Sequence, residues 1–99
     1  MPRNAREQSA HDGAVRRWAE SLERQGYEVV ADVKGYIRPG TYYGLKPDIV
    51  ATKGRERIIG EVETPRSVGE PRDQAQRTTF QRMEDMSNYT RFQRRIVRP

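Results

Sequence analysis

Two carboxylates in this sequence lie where one short hairpin would bring them together. Asp48 follows Pro47 and precedes Glu61 by 13 positions. The apolar runs at 48–52 and 57–63 flank a turn-forming stretch. If the chain turns about Gly54-Arg55, Asp48 lies opposite Glu61, with their Cβ atoms roughly 5 Å apart. Because two like charges at this spacing repel, the pattern predicts a cation site, and Mg²⁺ is a divalent ion that prefers oxygen ligands.

The residues next to Glu61 extend this predicted site. Glu63 lies on the same strand face as Glu61, because side chains two positions apart share a side. The backbone carbonyl of Val62 is a further oxygen ligand. A cation held by Asp48, Glu61 and Val62 would acidify a bound water and stabilise charge that develops on a phosphate.

The elements that would position these residues follow from the apolar pattern. Ser9 is a predicted N-cap, Gly26 a helix stop, and the apolar residues between them follow helical spacing. The predicted elements are a helix from about 10 to 25, strands at 27–33, 48–52 and 57–63, a helix from about 72 to 87 and a strand at 90–97. This order predicts a mixed α+β (α/β) domain over 10–99, after a flexible segment 1–9. We expect the three consecutive strands to form an antiparallel meander, within a central mixed sheet that carries a helix on each face.

Composition restricts the class of protein. The chain has 99 residues, of which only 33% are hydrophobic, so a single small domain with a thin core is expected. The 19 Lys and Arg residues, most of them Arg, give a net charge of +5 and suit a polyanionic partner; a merely well-solvated surface is the alternative. The absence of cysteine, of a membrane-length apolar run and of a signal peptide predicts a cytoplasmic protein without membrane contact.

The stretch Pro47-Asp48, followed by Glu61-Val62-Glu63 on the next strand, resembles the PD-(D/E)XK nuclease superfamily. The flanking residues Gly44 to Val50 and Ile58 to Glu63 strengthen the resemblance, and the order of elements resembles the α-β-β-β-α-β core of restriction endonucleases and Holliday-junction resolvases. The resemblance implies a Mg²⁺ or Mn²⁺ site at Asp48 and Glu61 and hydrolysis of phosphodiester bonds.

One position departs from the family pattern. Glu63 stands where members of the family usually carry a lysine that orients or activates the attacking water. Some members with glutamate at this position remain active. In the predicted register Lys46 lies opposite Glu63, where it would either supply the missing positive charge to catalysis or merely neutralise Glu63.

Many family members also use an acid on the first helix. In this chain His11 and Asp12 are the candidates that would reach the sheet, whereas Glu20 projects away from the apolar stripe. The alternative for His11 is a helix-end residue with no role. On the second helix, Gln74 and Gln76 resemble a glutamine that follows the motif in several branches of the family, where it contacts substrate or metal-bound water. The alternative is that they have no function, because glutamine is a good helix former.

Rings and guanidinium groups elsewhere suit contact with a nucleic-acid backbone. The predicted nucleic-acid-binding residues are Arg38, Tyr42, Tyr43, Arg66, Arg72 and Gln76, with Arg77 nearby. An ordinary loop whose tyrosines pack on its own base is the alternative for 35–44. Since 99 residues offer little surface for gripping a duplex, we expect a homodimer.

These features predict a metal-dependent endonuclease acting on DNA. A catalytically inactive protein of nuclease-like fold, which binds nucleic acid or a protein partner without cutting, is the alternative. A protein-interaction module that binds neither metal nor DNA is a third possibility.

Overall fold

The computed structural model describes residues 4–41, 44, 46–65, 74, 77–79, 81, 82 and 88–98. It has a mixed α+β fold, as the sequence predicts. Its elements are helix α1 (Ala5–Arg24) and strands β1 (Glu28–Ala31), β2 (Ile49–Lys53), β3 (Glu56–Glu63) and β4 (Thr90–Ile96).

Helix α1 begins earlier than the apolar pattern indicates. Asn4 is the N-cap: its side chain accepts a hydrogen bond from the Glu7 N–H at 2.8 Å, and the Glu7 side chain accepts one from the Asn4 N–H at 3.3 Å. This reciprocal capping box satisfies backbone donors of the first turn. The prediction of a helix start near Ala10 was therefore wrong, and residues 5–9 belong to the helix. The predicted stop is confirmed, since Gly26 follows the helix with a φ of 93°.

The four strands form one sheet in the order β1-β2-β3-β4. Strands β1, β2 and β3 are antiparallel neighbours, which confirms the meander, and β4 runs parallel to β3. The hairpin between β2 and β3 pairs Ile49 with Gly60 and Lys53 with Glu56. This is the predicted register, with the turn at Gly54-Arg55, where Gly54 has a φ of 59°.

Helix α1 covers one face of the sheet. Its buried apolar residues pack in one cluster with those of the meander, namely Val15, Trp18, Ala19 and Leu22 with Ile49, Ala51, Ile58 and Val62. Gly60 permits the closest approach, because a Cβ there would lie 2.6 Å from Cη2 of Trp18. The other face carries the fully buried Ile59 and the nearly buried Val50.

The second predicted helix lies largely outside the described residues. Within 72–87, the described residues 74, 77–79, 81 and 82 are helical, and the Thr78 hydroxyl donates to the Gln74 carbonyl at 3.0 Å. No helix in the described part of the chain has the length and apolar character that crossing a membrane requires.

Candidate active site

The end of the β2–β3 hairpin brings Asp48 and Glu61 together. The Asp48 N–H donates to the Gly60 carbonyl at 3.1 Å, which extends the β2–β3 pairing one residue beyond Ile49. Pro47 comes next and is buried; because proline has no N–H, it ends the pairing here. The next residues in this register are Asp48 and Glu61, and Glu61 lies close enough to lower the pKa of Asp48.

The carboxylates on β3 are buried. Glu61 is 4% exposed and Glu63 is 6% exposed, although glutamate is seldom buried to this extent. Both lie on the sheet face opposite α1, because Val62 between them packs in the α1 cluster. Two buried acids therefore lie on β3 at the end of the hairpin that carries Asp48.

The backbone of Val62 faces Asp48. Its N–H donates to Asp48 Oδ2 at 2.8 Å. In an extended strand, the backbone groups of residues two apart point to the same side, so the Val62 carbonyl points toward the β2 side of β3, as the Gly60 carbonyl does. This orientation is compatible with the Val62 carbonyl as a ligand beside Asp48 and Glu61.

Helix α1 adds an imidazole to this group. His11 is 4% exposed, and its Nε2 lies 3.2 Å from Asp48 Oδ2. Its Nδ1 lies 3.0 Å from Asp12 Oδ1. His11 therefore bridges two carboxylates, and Asp12 orients the ring toward Asp48. The structure thus places both sequence-predicted residues of the first helix at the site.

The electrostatics of Asp48 reflect these contacts. Burial is the largest single influence and by itself raises the pKa of Asp48. The hydrogen bond and charge of His11, the Val62 N–H and the hydrogen bond from Glu61 act in the opposite direction and outweigh burial. The pKa of Asp48 is consequently below its ordinary value, and the group is ionised at neutral pH.

One buried acid escaped the sequence analysis. Glu7 is 6% exposed and lies on the same face of α1 as His11, one turn nearer the N-terminus. It was missed because the helix was predicted to begin after it. The Asn4-to-Glu7 spacing of a capping box was the available signal.

The predicted role of Lys46 rested on a longer ladder. The assigned β2–β3 ladder ends at Ile49 and Gly60, so it does not reach Lys46, and the pairing of Lys46 with Glu63 stays a prediction. Pro47 and Asp48 separate Lys46 from the strand, and Lys46 is exposed whereas Glu63 is buried.

Of the predicted nucleic-acid contacts, the structure describes Arg38 alone. Its guanidinium forms an ion pair with Asp32 at 2.5 Å, at the start of the loop that follows β1. Nearby, the Tyr36 hydroxyl donates to Glu23 Oε1 at 2.6 Å and ties this loop to α1. The remaining predicted contacts lie outside the described residues: Tyr42, Tyr43, Arg66, Arg72 and Gln76.

Among the residues that the structure describes, no three His, Cys, Asp or Glu side chains are grouped so that they could hold a metal ion. The ligand set expected from the sequence is smaller, with two carboxylates and one carbonyl. Asp48 and Glu61 fit such a set, because both are carboxylates at one end of the hairpin beside the Val62 backbone, and Mg²⁺ prefers oxygen ligands.

Comparison with known proteins adds no relative. No model of a known protein family matches the chain, and no curated protein sequence matches it significantly.

Proposed function

We propose that this chain is a Mg²⁺- or Mn²⁺-dependent endonuclease domain of the PD-(D/E)XK type, which hydrolyses phosphodiester bonds in DNA. The observation that supports the proposal is the position of Asp48 at the end of the hairpin, one residue beyond the Ile49–Gly60 pair and therefore next to Glu61 in the register. Two carboxylates beside the Val62 backbone are well suited to a divalent cation.

Each residue of the site then has a defined task. Asp48, Glu61 and the Val62 carbonyl hold the metal, which when bound supplies an acidified water and stabilises charge on the phosphate. Glu63, on the same face as Glu61, accepts a hydrogen bond from the attacking water. Lys46 is the nearby cation that could stand in for the family lysine.

His11 and Asp12 position the first ligand. Nε2 of His11 holds Oδ2 of Asp48, and Asp12 fixes the ring from its other nitrogen. Residues that orient a metal ligand in this way commonly change metal affinity or activity by about 10- to 100-fold when they are removed.

We place this enzyme in the cytoplasm, where a cysteine-free chain needs no oxidising environment.

Cleavage assays test the proposal. Branched, single-stranded and duplex DNA are incubated with the protein in Mn²⁺ or in EDTA, using wild type, Asp48→Asn and Glu61→Gln. The matched control is Glu20→Gln, which removes an exposed acid on α1. Because a metal ion is worth several kcal/mol to the transition state, we expect each site variant to lose about a thousandfold in rate. The control should retain wild-type activity, and cleavage that survives in both site variants would refute the assignment.

Calorimetric titration with Mn²⁺ measures the metal site without catalysis. Wild type should bind Mn²⁺, because Asp48 and Glu61 supply two carboxylate ligands. Asp48→Asn should bind no Mn²⁺ at this site.

A second function is favoured by one specific feature of the site. Asp48 Oδ2 is already engaged by both Val62 and His11, and Glu63 replaces the usual lysine. A nuclease-like protein that binds nucleic acid or a partner without cutting it would show salt-dependent DNA binding but no Mn²⁺ binding at millimolar concentration. A module that only binds proteins would show neither.

A further inference from the structure

A large basic cleft lies between strand β4 and helical residues 74, 77, 78, 81 and 82. Its volume is about 650 Å³, within the range of roughly 300–1,000 Å³ that holds small-molecule ligands. The residues that line it include Arg77, Arg82, Arg94, Phe92, Gln74 and Gln81. Two of these residues, Gln74 and Arg77, were singled out in the sequence.

The chemistry of the lining favours a polyanion. Three guanidinium groups face the cleft, and no acidic side chain is among the described residues that line it. Arginine matches phosphate oxygens with paired N–H donors. Phe92 adds an aromatic ring, and the two glutamine amides donate and accept hydrogen bonds. A second, smaller cleft near Tyr27 has a volume of about 70 Å³ and includes Glu56, so it offers neither the room nor the uniform charge.

The cleft adjoins the candidate active site. In the parallel register of β3 and β4, Phe92 lies beside Ile59 and Arg94 lies beside Glu61. Partners in register share a sheet face, and neighbouring strands are roughly 4.8 Å apart. Phe92 and Arg94 are therefore on the face that carries Glu61 and Glu63, one strand away.

We propose that this cleft binds a single strand of nucleic acid. Phosphates of the strand lie against Arg77 and Arg82, and an unpaired base stacks on Phe92. Arg94 lines the cleft and lies beside Glu61, so the bound strand passes Arg94 between the cleft and Glu61. Stacking on a side chain requires a base whose face is open, which a single strand offers and an intact duplex does not. That the bound strand is also the substrate rests on the proposed nuclease function.

Binding of labelled strands, followed by fluorescence anisotropy in EDTA, tests the cleft without cleavage. The test variant is Arg77→Ala/Arg82→Ala, which removes two exposed charges. The matched control is Arg17→Ala/Arg24→Ala, which removes two exposed charges from α1, on the opposite face of the sheet. Phe92→Leu removes the ring and keeps an apolar side chain. Circular dichroism checks that each variant is folded.

The variants should differ in affinity and in the salt dependence of binding. Each phosphate contact to a single strand contributes about 0.7 to the slope of log K against log salt, so the test variant should lose about 1.4 in slope and roughly 25-fold in affinity at 0.1 M salt. Phe92→Leu should lose roughly 5- to 150-fold with little change in slope, because stacking carries no charge. The control should lose less than the test variant in both quantities.

Binding to different nucleic acids shows which kind of strand the cleft prefers. Single-stranded DNA and RNA share the phosphates and open bases that the cleft recognises, so tighter binding of either of them than of duplex DNA supports the proposal. Equal loss of affinity in the test and control variants would overturn it, as would a duplex that binds as tightly as the single strands. Asp48→Asn separates the two proposals, because it should abolish Mn²⁺ binding but leave strand binding in EDTA intact.

Discussion

Asp48 is the residue at which α1, β2 and β3 meet. One of its carboxylate oxygens contacts His11 from the helix and the Val62 N–H from β3, and its own N–H pairs with Gly60. Such contacts hold an ionised carboxylate in a partly desolvated position. They stabilise the folded protein only while Asp48 is ionised.

This dependence predicts a loss of stability in acid. The pKa of Asp48 is lower in the folded protein than in the unfolded chain, where it is about 3.9. Its contribution is fully present above about pH 4 and is lost as the pH falls through the lower folded pKa. In urea unfolding with EDTA present, the difference in stability between wild type and Asp48→Asn should shrink as the pH falls below about 4, toward the lower pKa of folded Asp48.

Glu20→Gln is the control for the general loss of a negative charge. Its stability difference from wild type should be smaller than that of Asp48→Asn at neutral pH, because Glu20 is exposed. An Asp48→Asn difference that does not vary down to the lowest pH would show that His11 and Val62 do not favour the ionised form.

Among the secondary-structure elements, the contact of α1 with β3 determines where His11 lies. Trp18 packs directly over Gly60, next to Glu61 in the chain. Arg95 on β4 stacks on the Trp18 ring, with its guanidinium carbon 4.3 Å from the ring centre. The helix therefore sits close to the sheet, and His11 reaches Asp48.

The substitution Gly60→Ala should push helix α1 away from strand β3. The added Cβ would lie 2.6 Å from Trp18 Cη2 and 2.7 Å from Ile49 Cγ2, closer than such atoms can approach. Overpacking of this kind costs about 1–3 kcal/mol, which urea unfolding would measure. Activity should fall as well, since displacement of α1 carries His11 away from Asp48.

Gly40→Ala is the matched control for this substitution. Among the residues that the structure describes, none has an atom within 4 Å of a Cβ at Gly40, so the change in stability should be within about 0.5 kcal/mol. Equal effects of the two substitutions would mean that the close approach of Trp18 does not limit the packing.

At the scale of the whole molecule, size, charge and the sheet edges bear on association with a partner. The chain has a mass of 11.5 kDa and a net charge of +5. In the described sheet, β1 and β4 are the edge strands, and edge strands present backbone groups that can pair with another chain. Ile96 on β4 is 52% exposed. These features are compatible with association of two copies.

We therefore predict a homodimer. Light scattering coupled to size-exclusion chromatography should give twice the monomer mass of 11.5 kDa. Ile96→Lys, which places a charge on the exposed edge, should shift the protein toward the monomer if β4 forms the interface. A monomer mass for wild type at every concentration tested would contradict the prediction.

The hairpin register, and with it the contact of Asp48 with Glu61, followed from the sequence. A turn at Gly54-Arg55 and two alternating apolar runs are local signals, and a shift of one residue would turn every apolar side chain to the wrong face. The buried stripe of α1 also followed, because helical spacing is local.

Other parts of the site depended on contacts between distant segments. The distance between His11 and Asp48 is set by how closely Trp18 approaches Gly60, which no local pattern encodes. Glu7 is buried because the Asn4 cap extends the helix, and Lys46 lies outside the ladder because Pro47 ends the pairing. Arg94 and Phe92 gain their position from the parallel pairing of β4 with β3. Local spacing thus determined which acids face each other, whereas tertiary packing decided which groups surround them.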